Sequence, residues 1–268
     1  MMLNMNNIGF EYYYLSGKDI VLSKYDLGSI RQLTLNNFIE LGIDINDFVQ
    51  PFLLNKNIML NKNKDVDKLL NELKDLSFLF LYEQLTKKPI ISFLLKSLSI
   101  IYKSTNLYVD KDSIAIIVES GIDNKTYTIN DDNFEMLSTV VCEMMGIDRT
   151  EIVNIEPPKE MTDIELEFER RRKKYEEMQK GKKAKKTEGY TLLDIANIVI
   201  HSSGLTYDEV FNMTIYQLKN SFRVLIRKDN YMVNLLHRIS QKFDTSKEKF
   251  VHWTDEIKLE VSSLNVES

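Results

Sequence analysis

The chain has 268 residues, 43 % of them hydrophobic and 28 % charged, with a formal net charge of −5. That composition is ordinary for a folded protein able to build a core without staples, and the acidic balance argues against non-specific nucleic-acid binding by the whole surface. A single cysteine, Cys142, allows no internal disulfide, which suits a cytosolic protein. The first ten residues lack a basic start followed by an apolar run, so no secretion signal is expected. The longest apolar stretch, residues 90–102, is interrupted by Ser92, Lys96, Ser97 and Ser99 and is too short to span a bilayer.

In chain order, residues 8–35 read as strands. Phe10, Tyr12 and Tyr14 alternate with Glu11, Tyr13 and Leu15, and a turn at residues 16–19 leads to Ile20, Val21 and Leu22. This hairpin either packs on the chain's own helices or offers an edge to another subunit. From Thr34 the period changes: Thr34 caps a short helix carrying Leu35, Phe38 and Ile39, and Asp44 caps a second with Phe48, Val49 and Phe52, which Pro51 ends or kinks. A polar loop is expected over residues 55–64. A helix follows from Asp65, with Val66, Leu69, Leu70, Leu73, Leu76 and Leu79 or Phe80 at steps of three and four. Pro89 separates it from residues 90–102, apolar nearly all round and so a buried helix.

Residues 113–120 and 126–129, around the turn at 121–125, predict a second hairpin. Asn130, Asp131 and Asp132 then cap a helix bearing Phe134, Leu137, Val140, Val141, Met144 and Met145, which Gly146 ends; Cys142 lies beside its apolar stripe. A composition break follows at the stiff Glu156-Pro157-Pro158-Lys159 linker. Residues 160–186 are acidic first (Glu160, Asp163, Glu165, Glu167, Glu169) and basic later, including Arg170, Arg171 and Arg172. That order matches a helix macrodipole, and Ile164, Phe168, Tyr175 and Met178 give only a thin apolar stripe. A flexible basic tether is expected over residues 181–189. In the last block Leu192, Leu193, Ile195, Ala196, Ile198, Val199 and Ile200 predict a buried helix ending at Gly204, and Thr206 starts another before Val210, Phe211 and Met213. Thr214 caps a long helix with Ile215, Leu218, Phe222, Leu225, Ile226, Val233, Leu236 and Ile239 near one stripe; Phe250, Trp253 and Ile257 suggest a short closing helix.

The chemistry-bearing residues do not converge. His201, His237 and His252 share no metal-ligand spacing. His201, at a helix end, suits a role on C-terminal carbonyls, and Cys142 reads as a structural thiol. There is no phosphate-binding glycine loop, and the Asp131-Asp132 and Asp208-Glu209 pairs stand where helix caps belong. No catalytic, cofactor-binding or metal-binding residue is assigned, and a non-enzymatic protein is expected. The Arg170 to Lys186 run is basic, but only Tyr175 is interleaved and an acidic stretch precedes it, which weighs against nucleic acid.

Three runs in the final block carry a resemblance: Leu192-Leu193-Asp194-Ile195, Gly204-Leu205-Thr206-Tyr207-Asp208-Glu209-Val210, and Asn212-Met213-Thr214-Ile215-Tyr216-Gln217-Leu218. Together with Lys249-Phe250-Val251-His252-Trp253, and a fainter echo at Asp132-Asn133-Phe134, this block resembles tail assembly chaperones and other tail-associated proteins of tailed phages infecting low-GC Gram-positive bacteria. The resemblance implies a phage protein made in the host cytoplasm that binds tail-tube or tape-measure subunits. It leaves open whether the chain stays in the virion as a structural component of the tail, neck or baseplate, and whether it forms a homo-oligomer. The candidate contact residues are Tyr207, Phe211, Tyr216, Phe222 and Trp253, which suit a core role equally, with Arg170, Arg171 and Arg172 for a second partner. The expected architecture is α+β and predominantly helical. It comprises an N-terminal α+β domain (1–155) with two small hairpins, a charged helical connector and tether (156–189), and a small C-terminal helical module (190–268).

Overall fold

The computed structural model describes residues 9–54, 73–147, 149, 190–240 and 252–254. The expectations placed on residues 55–72, the connector 156–189 with Arg170, Arg171 and Arg172, and Phe250 and Ile257 lie outside these described residues.

The architecture is α+β and predominantly helical, with two small antiparallel sheets. The chain enters with α1 (Phe10–Ser16), where a strand was expected. Phe10 and Tyr14 are buried and Tyr12 is exposed, which is the i, i+4 spacing of a helix rather than the alternation of a strand. Gly17, at φ 69, closes α1 in a left-handed conformation that glycine adopts without a Cβ clash. The expected Ile20-Val21 strand does form, but its partner lies downstream: β1 (Ile20–Val21) pairs with β2 (Ser29–Ile30).

α2 (Leu35–Leu41) starts at Thr34, whose hydroxyl accepts from the Asn37 N–H while the Asn37 side chain accepts from the Thr34 N–H. α3 (Ile45–Leu53) starts at Asp44 as expected, and Pro51 does not end it. Pro51 falls in the last turn and is buried, and the helix runs on until Leu54 bonds back to Gln50 O at 3.2 Å.

α4 (Asp75–Thr86) and α5 (Ile90–Ile101) pack together, with α5 also against α3. The expected second hairpin is present as β4 (Ala115–Glu119) and β5 (Thr126–Ile129), and a third strand, β3 (Asn106–Asp110), pairs with β4 to give the order β3-β4-β5. α6 (Phe134–Met144) follows and ends at Met145 and Gly146. Asp131 caps a neighbouring helix rather than its own, accepting from the Ser77 N–H at 3.0 Å and from the Ser77 hydroxyl near the start of α4. Arg149, almost wholly buried, donates to the Asp75 carboxylate at 3.0 Å and to Glu135 O at 3.2 Å, and so ties α4 to α6.

The last described block holds α7 (Leu192–Ser203), α8 (Tyr207–Phe211) and α9 (Ile215–Ile239). Each begins with a capping box: Thr191 with Asp194, Thr206 with Glu209, and Thr214 with Gln217. One apolar cluster includes Phe10, Phe52, Ile101 and Phe134 from the earlier elements and Ile195, Val199, Val210, Ile215 and Leu218 from these helices.

Candidate protein-binding surface

The long helix α9 is anchored at its start, and its apolar stripe is exposed toward its end. At the start, Thr34 and Thr214, the N-caps of α2 and α9, form an isolated antiparallel bridge. Leu35 N donates to Met213 O at 3.3 Å and Ile215 N to Leu33 O at 3.1 Å. Two side chains reinforce the join. Gln217 Nε2 donates to Leu15 O at 2.7 Å, and Lys219 Nζ donates to Met145 O at 2.8 Å, beside the C-terminal end of α6. Burial holds the Lys219 ammonium below the usual lysine range. Below it, the Tyr14 hydroxyl donates to Glu143 at 2.7 Å, and the Tyr14 ring lies 5.1 Å from that of Tyr216. Burial, and then the Glu143 carboxylate, push the Tyr14 phenol well above its ordinary value, so it stays a hydrogen-bond donor.

Along α9 the burial changes while the sequence pattern does not. Ile215 and Leu218 are fully buried, and Tyr216, Phe222 and Leu225 are half-buried against the core. Farther on, Ile226, Met232 and Val233 are exposed, and Leu236 and Ile239 are 63 % and 69 % exposed. A helix of 25 residues spans about 37 Å, so the open half extends on the order of 20 Å past its anchorage.

The five aromatics singled out from sequence take different positions. Tyr207 is 58 % exposed, with Phe211 behind it at 6.5 Å and packed on the core. Tyr216 belongs to the join, its ring tilted against that of Tyr14. Phe222 is half-buried and meets the exposed Tyr190 edge-on at 5.3 Å. Trp253 is half-buried beside His252, whose ring lies 4.8 Å from that of Tyr231 on α9. Only Tyr207 therefore presents most of its surface to solvent. Exposed apolar side chains also line α9, at Ile226, Met232, Val233, Leu236 and Ile239.

The polar groups weighed for chemistry are dispersed. Cys142 is buried in α6 with its Sγ 3.8 Å from Phe52 O, and burial pushes its thiol up to about 12. His201 and His237 stand exposed in the last turns of α7 and α9. Among the described residues no three His, Cys, Asp or Glu side chains group as metal ligands. A shallow recess between α3 and α5 is lined by Asp47, Phe48, Phe93, Lys96 and Ser97; Ser97 there donates to Phe48 O at 2.9 Å. No helix among the described residues is long and apolar enough to cross a membrane.

Residues 181–258 match a family model described as the YomV second domain. The match spans α7, α8 and α9 and suggests a phage-related protein family. No curated protein and no solved structure matches the chain.

Proposed function

We propose that this chain is a phage tail assembly chaperone or assembly factor, acting in the host cytoplasm by binding tail-tube or tape-measure subunits rather than by catalysis. The observation that carries this reading is the open apolar half of α9, set on the segment that matches a phage-related family. Subunits awaiting polymerisation expose apolar surface, and a protein that shields them needs a complementary apolar face that releases on assembly.

The magnitudes suit a reversible grip. Five aliphatic side chains left about half exposed offer roughly 1 kcal/mol each on burial, on the order of 5 kcal/mol in all. Association costs about 4 kcal/mol or more in lost freedom. The stripe alone thus gives weak binding, and a polymerising subunit can displace it. The exposed Tyr207, with Arg170, Arg171 and Arg172 for a second partner, would extend the contact.

The test is co-expression with tail-tube and tape-measure proteins. A gain in their soluble yield and their co-purification with the chain are expected; neither occurring sinks the reading. A second reading, a structural component of the tail, neck or baseplate, draws on β3, an outer strand of its sheet with Tyr108 exposed. Stoichiometric recovery of the chain in purified particles, measured by mass spectrometry, favours that reading over the first.

A further inference from the structure

The apolar side chains of α9 stand at residues 215, 218, 222, 225, 232, 236 and 239, in steps of three and four, and Asp229 fills the remaining place in the series. At about 100° per residue, Asp229 lies at the centre of the stripe, flanked by Leu225 and Met232 on one side and Ile226 and Val233 on the other. Up to Leu225 the stripe packs on the core; from Asp229 onward it is open. Among the described residues no hydrogen bond or ion pair reaches the Asp229 carboxylate. Lys228 falls about 100°, and Arg223, Arg227 and Arg238 roughly 120° or more, around the axis from it.

A stripe with a three-and-four repeat fits another helix, because that period keeps one seam facing the partner along its length. A carboxylate inside such a seam loses water on docking and needs an opposite charge across from it. A second copy of this chain offers none at a seam position, its nearest exposed cation, Lys228, bordering the stripe about 100° around the axis from Asp229. Placed parallel it sets Asp229 against Asp229, and in either direction its stripe carries no lysine or arginine. We infer that the open half of α9 docks an α-helix of another protein, one presenting an apolar three-and-four stripe with a Lys or Arg set against Asp229. The assembly reading above supplies only the source of that helix, a tail subunit.

The experiment uses the full chain and two synthetic helical peptides, each about three heptads long with leucine at the seam positions. They differ at the central seam residue, lysine in one and glutamate in the other. By fluorescence anisotropy the lysine peptide should bind about tenfold tighter, and Asp229→Lys should invert the preference. Asp229 is exposed, so the variant should keep the parent's circular dichroism and melting temperature. Equal binding of the two peptides, or binding of neither, overturns the inference; the second result would leave the stripe to the chain's own residues. So would a dimer in sedimentation that Leu236→Asp dissociates, which would assign the stripe to a second copy. The two readings fail separately. Lysine preference without co-purification of tail proteins removes the tail source and keeps the docking chemistry. Co-purification indifferent to both Asp229→Lys and Leu236→Asp removes the docking chemistry and keeps the assembly role.

Discussion

The two halves of α9 carry the same apolar repeat and live in different surroundings. In the first half, Ile215 and Leu218 are buried and the backbone at Thr214 is bridged to Thr34; in the second, Leu236 and Ile239 face solvent. The pattern of a helix therefore says that it has a face to bury, and leaves open whether its own fold buries it. Stability should depend on the first half and binding on the second.

That division can be broken by mutation. The largest effect is expected from Leu218→Ala, which removes a fully buried side chain and should cost about 2–5 kcal/mol in denaturant unfolding. Leu236→Ala, at the same position of the repeat on the open half, should cost less than about 0.5 kcal/mol. Comparable losses at the two positions would show that the open half is covered in solution. Next comes the anchorage: Thr214→Ala removes the cap acceptor for the Gln217 N–H and should cost about 1 kcal/mol, seen as a lower melting temperature.

The smallest effect sharpens the comparison through pH. Glu209 accepts from the backbone N–H and then the hydroxyl of Thr206, and these bonds hold its carboxyl below the usual glutamate range. Asp194 is lowered in the same sense, by the Thr191 hydroxyl and then its N–H. A carboxyl lowered on folding adds stability that is complete above its unfolded value, near pH 4, and is lost as pH falls through the folded value. Glu209→Gln should therefore lower the melting temperature slightly at neutral pH and converge on the parent in acid, flattening the acid side of the profile below about pH 5. An unaltered acid slope would show that the cap carboxylate contributes nothing.

The caps were the most legible part of the sequence. Thr34, Asp44, Thr206 and Thr214 all stand where their spacing to the following apolar run predicts, because a cap is decided within four residues. Gly146 and Gly204 mark helix ends for the same local reason. The misses came from contacts distant in sequence. Phe10 to Leu15 alternates and is rich in β-forming aromatics, yet it is helical, with Tyr14 held by Glu143 and Tyr216. β3 carries only a short apolar alternation, and its pairing with β4 supplies what its own pattern lacks. Of the five aromatics named from sequence for the candidate surface, Tyr207 is exposed. Phe211, Tyr216 and Phe222 face the core more than solvent, and the open aliphatic half of α9 could not be told from its buried half, since the Thr34–Thr214 bridge that separates them joins residues far apart in the chain.

The most direct test is co-purification of tail-tube or tape-measure protein with the intact chain and with a Leu236→Asp, Ile239→Asp double variant. The account predicts that the variant melts like the parent and retains less than about a tenth of the bound tail protein. Full retention by a variant that is folded and charged along the open half of α9 would contradict it.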